Sequence, residues 1–207
     1  MNGLRVKMLL VGVGGQGVML VTRTISEAAI KAGYRVLVAE THGQAVRGGS
    51  TMSHLTYGTN GVDSPLIMKA TADIVLGFEP IETLRALPFL RGGDGVVVYS
   101  VKPIIPLTMR YGEEKYPSLE EVGECIAKYS TKVFGLDALN LAREAGSVRT
   151  VNTVLLGASY GAFDMGIPDD IILETLKSSV PAGTEDVNLR AFEIGKESVG
   201  SKRWKDR

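Results

Sequence analysis

Residues 4–11, LRVKMLLV, run without a break into Gly12-Val13-Gly14-Gly15-Gln16-Gly17, and that junction constrains the fold more than any other feature of the chain. The apolar run from Met8 to Val11 does not alternate with polar residues. It suits a strand buried on both faces, as in parallel sheets covered by helices. The glycines let the backbone turn tightly. Residues 16–32 then carry apolar side chains at helical spacing, with Gly33 as the stop. Residues 35–39 read as a second strand, and the three segments together predict a βαβ unit.

The same alternation continues. Strands are predicted over 50–57, 74–77, 96–99 and 132–134, helices over 80–90, 120–128 and 137–144, and a proline-interrupted loop over 102–117. From residue 151 the pattern is helical throughout, over 151–163, 169–176 and 185–195. The expected fold is α/β and Rossmann-like, a mostly parallel sheet flanked by helices with a helical C-terminal third. With 207 residues and no repeat or low-complexity linker, residues 1–200 are expected to form a single unit. The basic tail 201–207 is expected to be disordered.

Composition excludes several function classes. Lys+Arg and Asp+Glu both number 23, so no net field favours nucleic acid or an anionic membrane. Mean hydropathy is +0.11, that of an ordinary globule. The N-terminal apolar stretch stops at Gly12 with no cleavage site, so a signal peptide is not expected and the cytoplasm is the expected compartment. Cys125 is the one cysteine, which leaves no disulfide framework and no cysteine set for zinc or an iron–sulfur cluster.

Two segments carry candidate chemistry. Gly12, Gly14 and Gly17 match the G-x-G-x-x-G pattern, in which a glycine turn and a helix N-terminus receive a phosphate. Glu40, ending the second strand, stands where a ribose-binding acid would. The second segment, Glu40-Thr41-His42-Gly43-Gln44-Ala45-Val46-Arg47-Gly48-Gly49-Ser50, gathers an acid, an imidazole and a guanidinium at a strand's C-terminal end, the edge where open α/β sheets bind ligands. Arg47 could present a bidentate fork to phosphate or carboxylate. His42 reads as a hydrogen-bonding strut before a general base, and His54 as structural. Glu79 is expected to cap the helix starting near Pro80. Residues 63–67 and 77–80 are expected on the same rim.

Gly12-Val13-Gly14-Gly15-Gln16-Gly17 with Glu40-Thr41-His42-Gly43 and Arg47-Gly48-Gly49-Ser50 resembles the gamma subunit, or gamma domain, of 2-oxoacid:ferredoxin oxidoreductases. Ser53-His54, Ser64-Pro65-Leu66-Ile67, Gly77-Phe78-Glu79-Pro80, Asn152-Thr153, Asn188 and Phe192 are similar to the small subunit of the indolepyruvate type in particular. The resemblance extends to about Gly195. It implies a chain that holds no redox centre and packs on a large catalytic subunit. That partner carries thiamine diphosphate, Mg2+ and [4Fe-4S] clusters, decarboxylates a 2-oxoacid, reduces ferredoxin and releases an acyl-CoA. The cofactor-side rim implied for this chain comprises Gly12, Gly14, Gly15, Gln16, Gly17, His42, Gly43, Arg47, Gly48, Gly49 and Ser50. No catalytic residue and no metal ligand is expected within it, and neither nucleic acid nor membrane is expected as a partner. The oxoacid stays open between an aryl pyruvate, 2-oxoglutarate and a branched-chain acid. Two other readings remain: a free-standing NAD(P)-dependent enzyme, suggested by the glycines and Glu40, and a nucleotide- or coenzyme A-holding module with no catalytic partner.

Overall fold

The computed structural model describes residues 3–43, 48–105 and 115–200. Arg47, with residues 44–46, most of the loop 102–117 and the tail 201–207 lie outside the described residues. Strand β1 (Arg5–Val13) leads into helix α1 (Val18–Lys31) and strand β2 (Arg35–His42), followed by β3 (Ser50–Gly58) and β4 (Ile74–Gly77). Helix α2 (Pro80–Ala86), β5 (Gly93–Ser100), α3 (Leu119–Ala127) and β6 (Ser130–Leu136) follow. The chain closes with α4 (Ala138–Ala145), α5 (Val151–Ala162), α6 (Asp169–Ser179) and α7 (Glu185–Ser198).

The sheet order is β2-β3-β1-β4-β5-β6. Strands β1, β4, β5 and β6 are mutually parallel, while β3 is antiparallel to both β1 and β2. The α/β architecture with a helical C-terminal third stands as expected. The expected βαβ unit forms with its strands separated: β2 runs in the same sense as β1, but β3 lies between them. A nine-residue register from Arg5↔Gly58 to Val13↔Ser50 fills the edge of β1 that a Rossmann unit gives to its second strand. Periodicity identifies strands but not which of two candidates wins an edge, and the loop into β3 is short enough to fold back beside β2.

The uninterrupted apolar runs are explained by two helical layers. Along β1, Met8 and Leu10 pack with α1 and α5–α7, while Leu9 and Val11 pack against α2 and α3. The same split divides Ile74 and Leu76 from Val75, and Val96 and Val98 from Val97 and Tyr99. Successive side chains of a strand point to opposite faces, and here both faces are dry. Cys125 packs at the margin of the α2/α3 layer.

In the C-terminal layer α5 and α7 cross closely. A Cβ placed on Gly157 would stand 1.9 Å from the carbonyl oxygen of Phe192, and one on Gly195 would stand 2.0 Å from that of Val154. Both obstacles are backbone atoms, so no side-chain rotation relieves them. Gly157→Ala is expected to cost about 1–3 kcal/mol of stability through overpacking, whereas Gly92→Ala, which meets nothing within 4 Å, stays within about 0.5 kcal/mol of the parent. Urea denaturation of the two variants checks the contrast.

Candidate functional site

The C-terminal ends of β1, β2, β4 and β5 and the start of β3 share one rim of the sheet. Here the glycine turn and the second glycine loop meet. Gly14 N–H donates to the carbonyl of Gly49 at 2.8 Å, and Gly48 N–H donates back to the carbonyl of Gly14 at 3.3 Å. Gly43 N–H donates to the carbonyl of Ser50 at 2.8 Å, closing the base of the second loop. The two sequence motifs are thus one hydrogen-bonded unit.

Gln16 holds the turn from inside. Its Oε1 accepts from Val13 N–H at 2.7 Å and its Nε2 donates to the carbonyl of Phe78 at 2.8 Å. Chain connections leave β1 towards β2 and leave β4 towards β5, so the crevice between β1 and β4 is the topological switch point where open sheets take ligands. In this chain the Gln16 amide bridges it. Gly12 leaves room for that amide: a Cβ there would stand 2.8 Å from both Gln16 Oε1 and Phe78 Cβ. Gly17, at φ 86°, starts α1 in the left-handed region, and a Cβ on it would stand 2.6 Å from Asn152 Nδ2. The glycines serve close packing and a chain reversal.

The open space lies on the other side of the turn, between it and the end of β2. A cavity of about 430 Å³ is lined by Val13, Gly14, Gly15, Gly17, Val18 and Met19 across from His42, Gly43 and Thr51. Met19 is 53% exposed at its mouth. His42 and Thr51 are paired across β2 and β3, and His42 Nε2 lies 3.5 Å from Glu40 Oε2. Glu40 therefore faces an imidazole. The strand that carries it sits one position farther from β1 than a ribose-binding acid's does, which counts against the dinucleotide reading.

Ser50, at the first position of β3, donates to Glu82 Oε2 at 2.5 Å, and Glu82 Oε1 accepts from Arg85 Nη1 at 2.5 Å. This partly buried link ties the second loop to α2. Glu79 caps α2 as expected, its Oε2 accepting from Glu82 N–H at 3.0 Å. Its Oε1 accepts from Ile104 N–H at 3.3 Å and from the Tyr116 hydroxyl. Burial and the adjoining Glu79 carboxylate raise the Tyr116 hydroxyl well above the usual phenol range.

Of the expected rim residues, Gly12, Gly14, Gly15, Gln16, Gly17, His42, Gly43, Gly48, Gly49 and Ser50 gather here, and Arg47 lies outside the described residues. Gly12, Gln16 and Ser50 face structural partners, while Gly14, Gly15, Gly17, His42 and Gly43 line the cavity. Met19, Thr51 and Glu82 escaped the sequence reading. Helical spacing hints at an exposed Met19, but nothing in the spacing joins Ser50 to Glu82. Residues 63–67 do not all belong to the rim: Ile67 is buried against Leu9 and Val11 in the α2/α3 layer. Its N–H donates to His54 Nδ1 at 3.2 Å, and the His54 ring meets Phe89 edge-on. Among the described residues no group of three or more His, Cys, Asp or Glu could hold a metal ion, and no helix is long and apolar enough to cross a membrane.

Two consequences can be measured. Gln16→Ala strips the acceptor from Val13 N–H and the donor from the Phe78 carbonyl, and is expected to lower unfolding free energy by about 1–3 kcal/mol in urea. Burial holds the His54 pKa below its ordinary value. The folded state therefore favours neutral imidazole, and the associated stability is full above the unfolded-state pKa of about 6.5. It is lost as pH falls through that value towards the lower folded-state one. His54→Asn keeps an acceptor for Ile67 and is expected to flatten the decline in stability between about pH 7 and pH 5, measured as melting temperature against pH.

Comparison with known proteins supplies the context. Indolepyruvate oxidoreductase subunit IorB of Thermococcus kodakarensis is 37% identical over 188 residues, covering 90% of this chain and 92% of that one. The gamma subunit of a keto/oxoacid ferredoxin oxidoreductase from Geobacter sulfurreducens superposes with a TM-score of 0.66 at 20% identity, over 95% of this chain and 99% of that one. A 2-oxoglutarate:ferredoxin oxidoreductase from Magnetococcus marinus, solved with 2-oxoglutarate, coenzyme A and succinyl-CoA, contains the same fold within a longer chain: TM-score 0.69, 21% identity, 96% of this chain and 32% of that one. The model of the pyruvate ferredoxin/flavodoxin oxidoreductase family matches residues 7–198. By that match, and by its likeness to the Thermococcus subunit, the chain belongs to the pyruvate ferredoxin/flavodoxin oxidoreductase family.

Proposed function

We propose that this chain is the small, non-redox subunit of a 2-oxoacid:ferredoxin oxidoreductase of the indolepyruvate type. The observation that carries the reading is the fused glycine rim. The turn spends Gly14 on the second loop and Gln16 on the switch-point crevice, yet keeps an open cavity beside Met19. Such a rim is a shaped wall for something a partner holds. The 37% identity with an indolepyruvate subunit over nearly the whole chain favours an aryl pyruvate over 2-oxoglutarate or a branched-chain acid.

Within this reading, residues 1–200 act as one gamma-type unit against a large catalytic subunit. Thiamine diphosphate with Mg2+ and the [4Fe-4S] clusters belong to that subunit and supply decarboxylation and electron transfer to ferredoxin. Cys125, on α3, cannot ligate a cluster by itself. The 2-oxoacid loses carbon dioxide, its electron pair passes to ferredoxin, and the acyl group leaves on coenzyme A. This chain's contribution is positional. The rim residues Gly14, Gly15, Gly17, His42 and Gly43, with Gly48 and Gly49, border the route by which substrate or coenzyme A enters. Gly12, Gln16 and Ser50 set the rim's shape. The complex works in the cytoplasm and involves neither membrane nor nucleic acid.

Reconstitution tests the reading. The purified chain is expected to show no coenzyme A-dependent reduction of ferredoxin or a viologen dye with any 2-oxoacid. Adding the co-purified large subunit is expected to give activity, highest with indolepyruvate among the aryl, dicarboxylic and branched-chain acids. Turnover by the chain alone, or assembly with no thiamine enzyme, overturns it.

A further inference from the structure

The opposite rim of the sheet, where the parallel strands begin, carries a second concavity of about 600 Å³. Its wall is built from the start of β1, the turn after β3 and the segments that precede β4 and β5. Arg5, Lys7 and Arg91 converge there with Asn60, Thr71 and Asp73. Nothing in the rim described above uses these residues.

The charges do not balance locally. Asp73 is buried and committed: its Oδ2 accepts from the backbone N–H of Lys7 at 2.8 Å, and its Oδ1 pairs with the Arg91 guanidinium. Among the described residues, neither Arg5 nor the Lys7 ammonium has a carboxylate within salt-bridge distance. The Lys7 ammonium reaches Thr71 Oγ1 at 3.4 Å, and the Arg5 guanidinium lies over Gly61, with Nη1 3.0 Å from where a Cβ would stand. Burial first, then the like charges of Arg5 and Arg91, holds the Lys7 pKa below the usual ammonium range. A chain with equal numbers of acids and bases has thus collected three cations around one spent carboxylate.

The wall is also strained. Ala70, at φ 59°, is the one non-glycine residue with positive φ among the described residues. It is held there by bonds from Ala70 N–H to the carbonyl of Pro88 and from Thr71 N–H to that of Phe89, both 3.0 Å. Such conformations persist where the surroundings impose them and collect at ligand sites.

We propose that this basin is a second ligand site, for a phosphate-bearing small molecule. Guanidinium forks match phosphate oxygens in pairs, an ammonium adds a point charge, and the Asn60 amide completes a polar cradle. Among the described residues the lining contains no aromatic face on which a nucleobase could stack, so the class is free phosphate or a phosphomonoester of a non-aromatic carrier.

The test is a titration of the full chain with inorganic phosphate and with glycerol phosphate at constant ionic strength, followed by 31P line width and melting temperature. Saturable binding below about 5 mM is expected, with a melting temperature that climbs with ligand concentration. The double variant Arg5→Gln/Lys7→Gln is expected to bind at least about tenfold more weakly, since both charge-assisted contacts are gone. Lys7→Arg, which keeps the charge, retains binding, as does Arg23→Gln on the exposed face of α1. Tighter binding of glycerol phosphate identifies a monoester as the ligand, and tighter binding of inorganic phosphate identifies the free ion. Absence of saturation, or undiminished binding in the double variant, overturns the proposal. So does loss of binding on assembly with the large subunit, which would make the basin a docking surface for a partner's acidic groups. These readouts do not depend on oxidoreductase activity, so the proposal stands or falls apart from the subunit reading.

Discussion

Strand β1 is hydrogen-bonded along both edges and covered on both faces, and the rest of the molecule is arranged by what it cannot leave exposed. Its antiparallel partner β3 runs the full length from Arg5 to Val13, while β4 pairs in parallel with Met8–Val11 alone. Apolar side chains pointing both ways demand two helical layers. The α1/α5–α7 layer and the α2/α3 layer answer that demand, and each removes a large apolar area from water. The rim is a by-product of the same strand: where β1 ends, its turn must find hydrogen-bond partners, and it finds them in the loop that leads into β3.

The glycine turn shows how one local pattern can serve different ends. In a dinucleotide site the turn's backbone approaches a phosphate and the neighbouring strand supplies an acid for the ribose. Here β3 has taken the adjacent position, the Gln16 amide has filled the crevice between β1 and β4, and the carbonyl of Gly49 takes the Gly14 N–H. The same three glycines are needed, for reasons of space and backbone sign rather than anion binding. The cavity moves to the antiparallel side, where it is walled by backbone, Met19 and a half-exposed imidazole.

Much of this was legible in the chain itself. Every described strand and α-helix coincides with a segment whose periodicity marks it, because buried strands and amphipathic helices leave strong local signals. The capping role of Glu79 and the structural role of His54 also follow from type and position. What was not legible is pairwise and long-range. The choice of β3 over β2 as the neighbour of β1 rests on competing edges of similar composition. The Ser50–Glu82 link spans 32 positions and joins residues that each read as ordinary strand and helix members. The basic basin draws on four separate stretches of chain, none of which is basic enough to stand out alone.

The placement of β3 also bears on the order in which the molecule assembles. Strands β2 and β3 are neighbours in sequence, so their ladder closes a short loop at little entropic cost. The β1–β4 ladder, by contrast, joins residues such as Met8 and Ile74 and must wait until the intervening chain has been gathered. Because β3 sits between β1 and β2, the first two strands never meet, and it is β3 that joins the β2–β3 ladder to β1. That contact brings Gly48 and Gly49 to Gly14. The glycine rim therefore depends on that contact: its Gly14–Gly48 and Gly14–Gly49 hydrogen bonds need both the turn after β1 and the segment that leads into β3 in place.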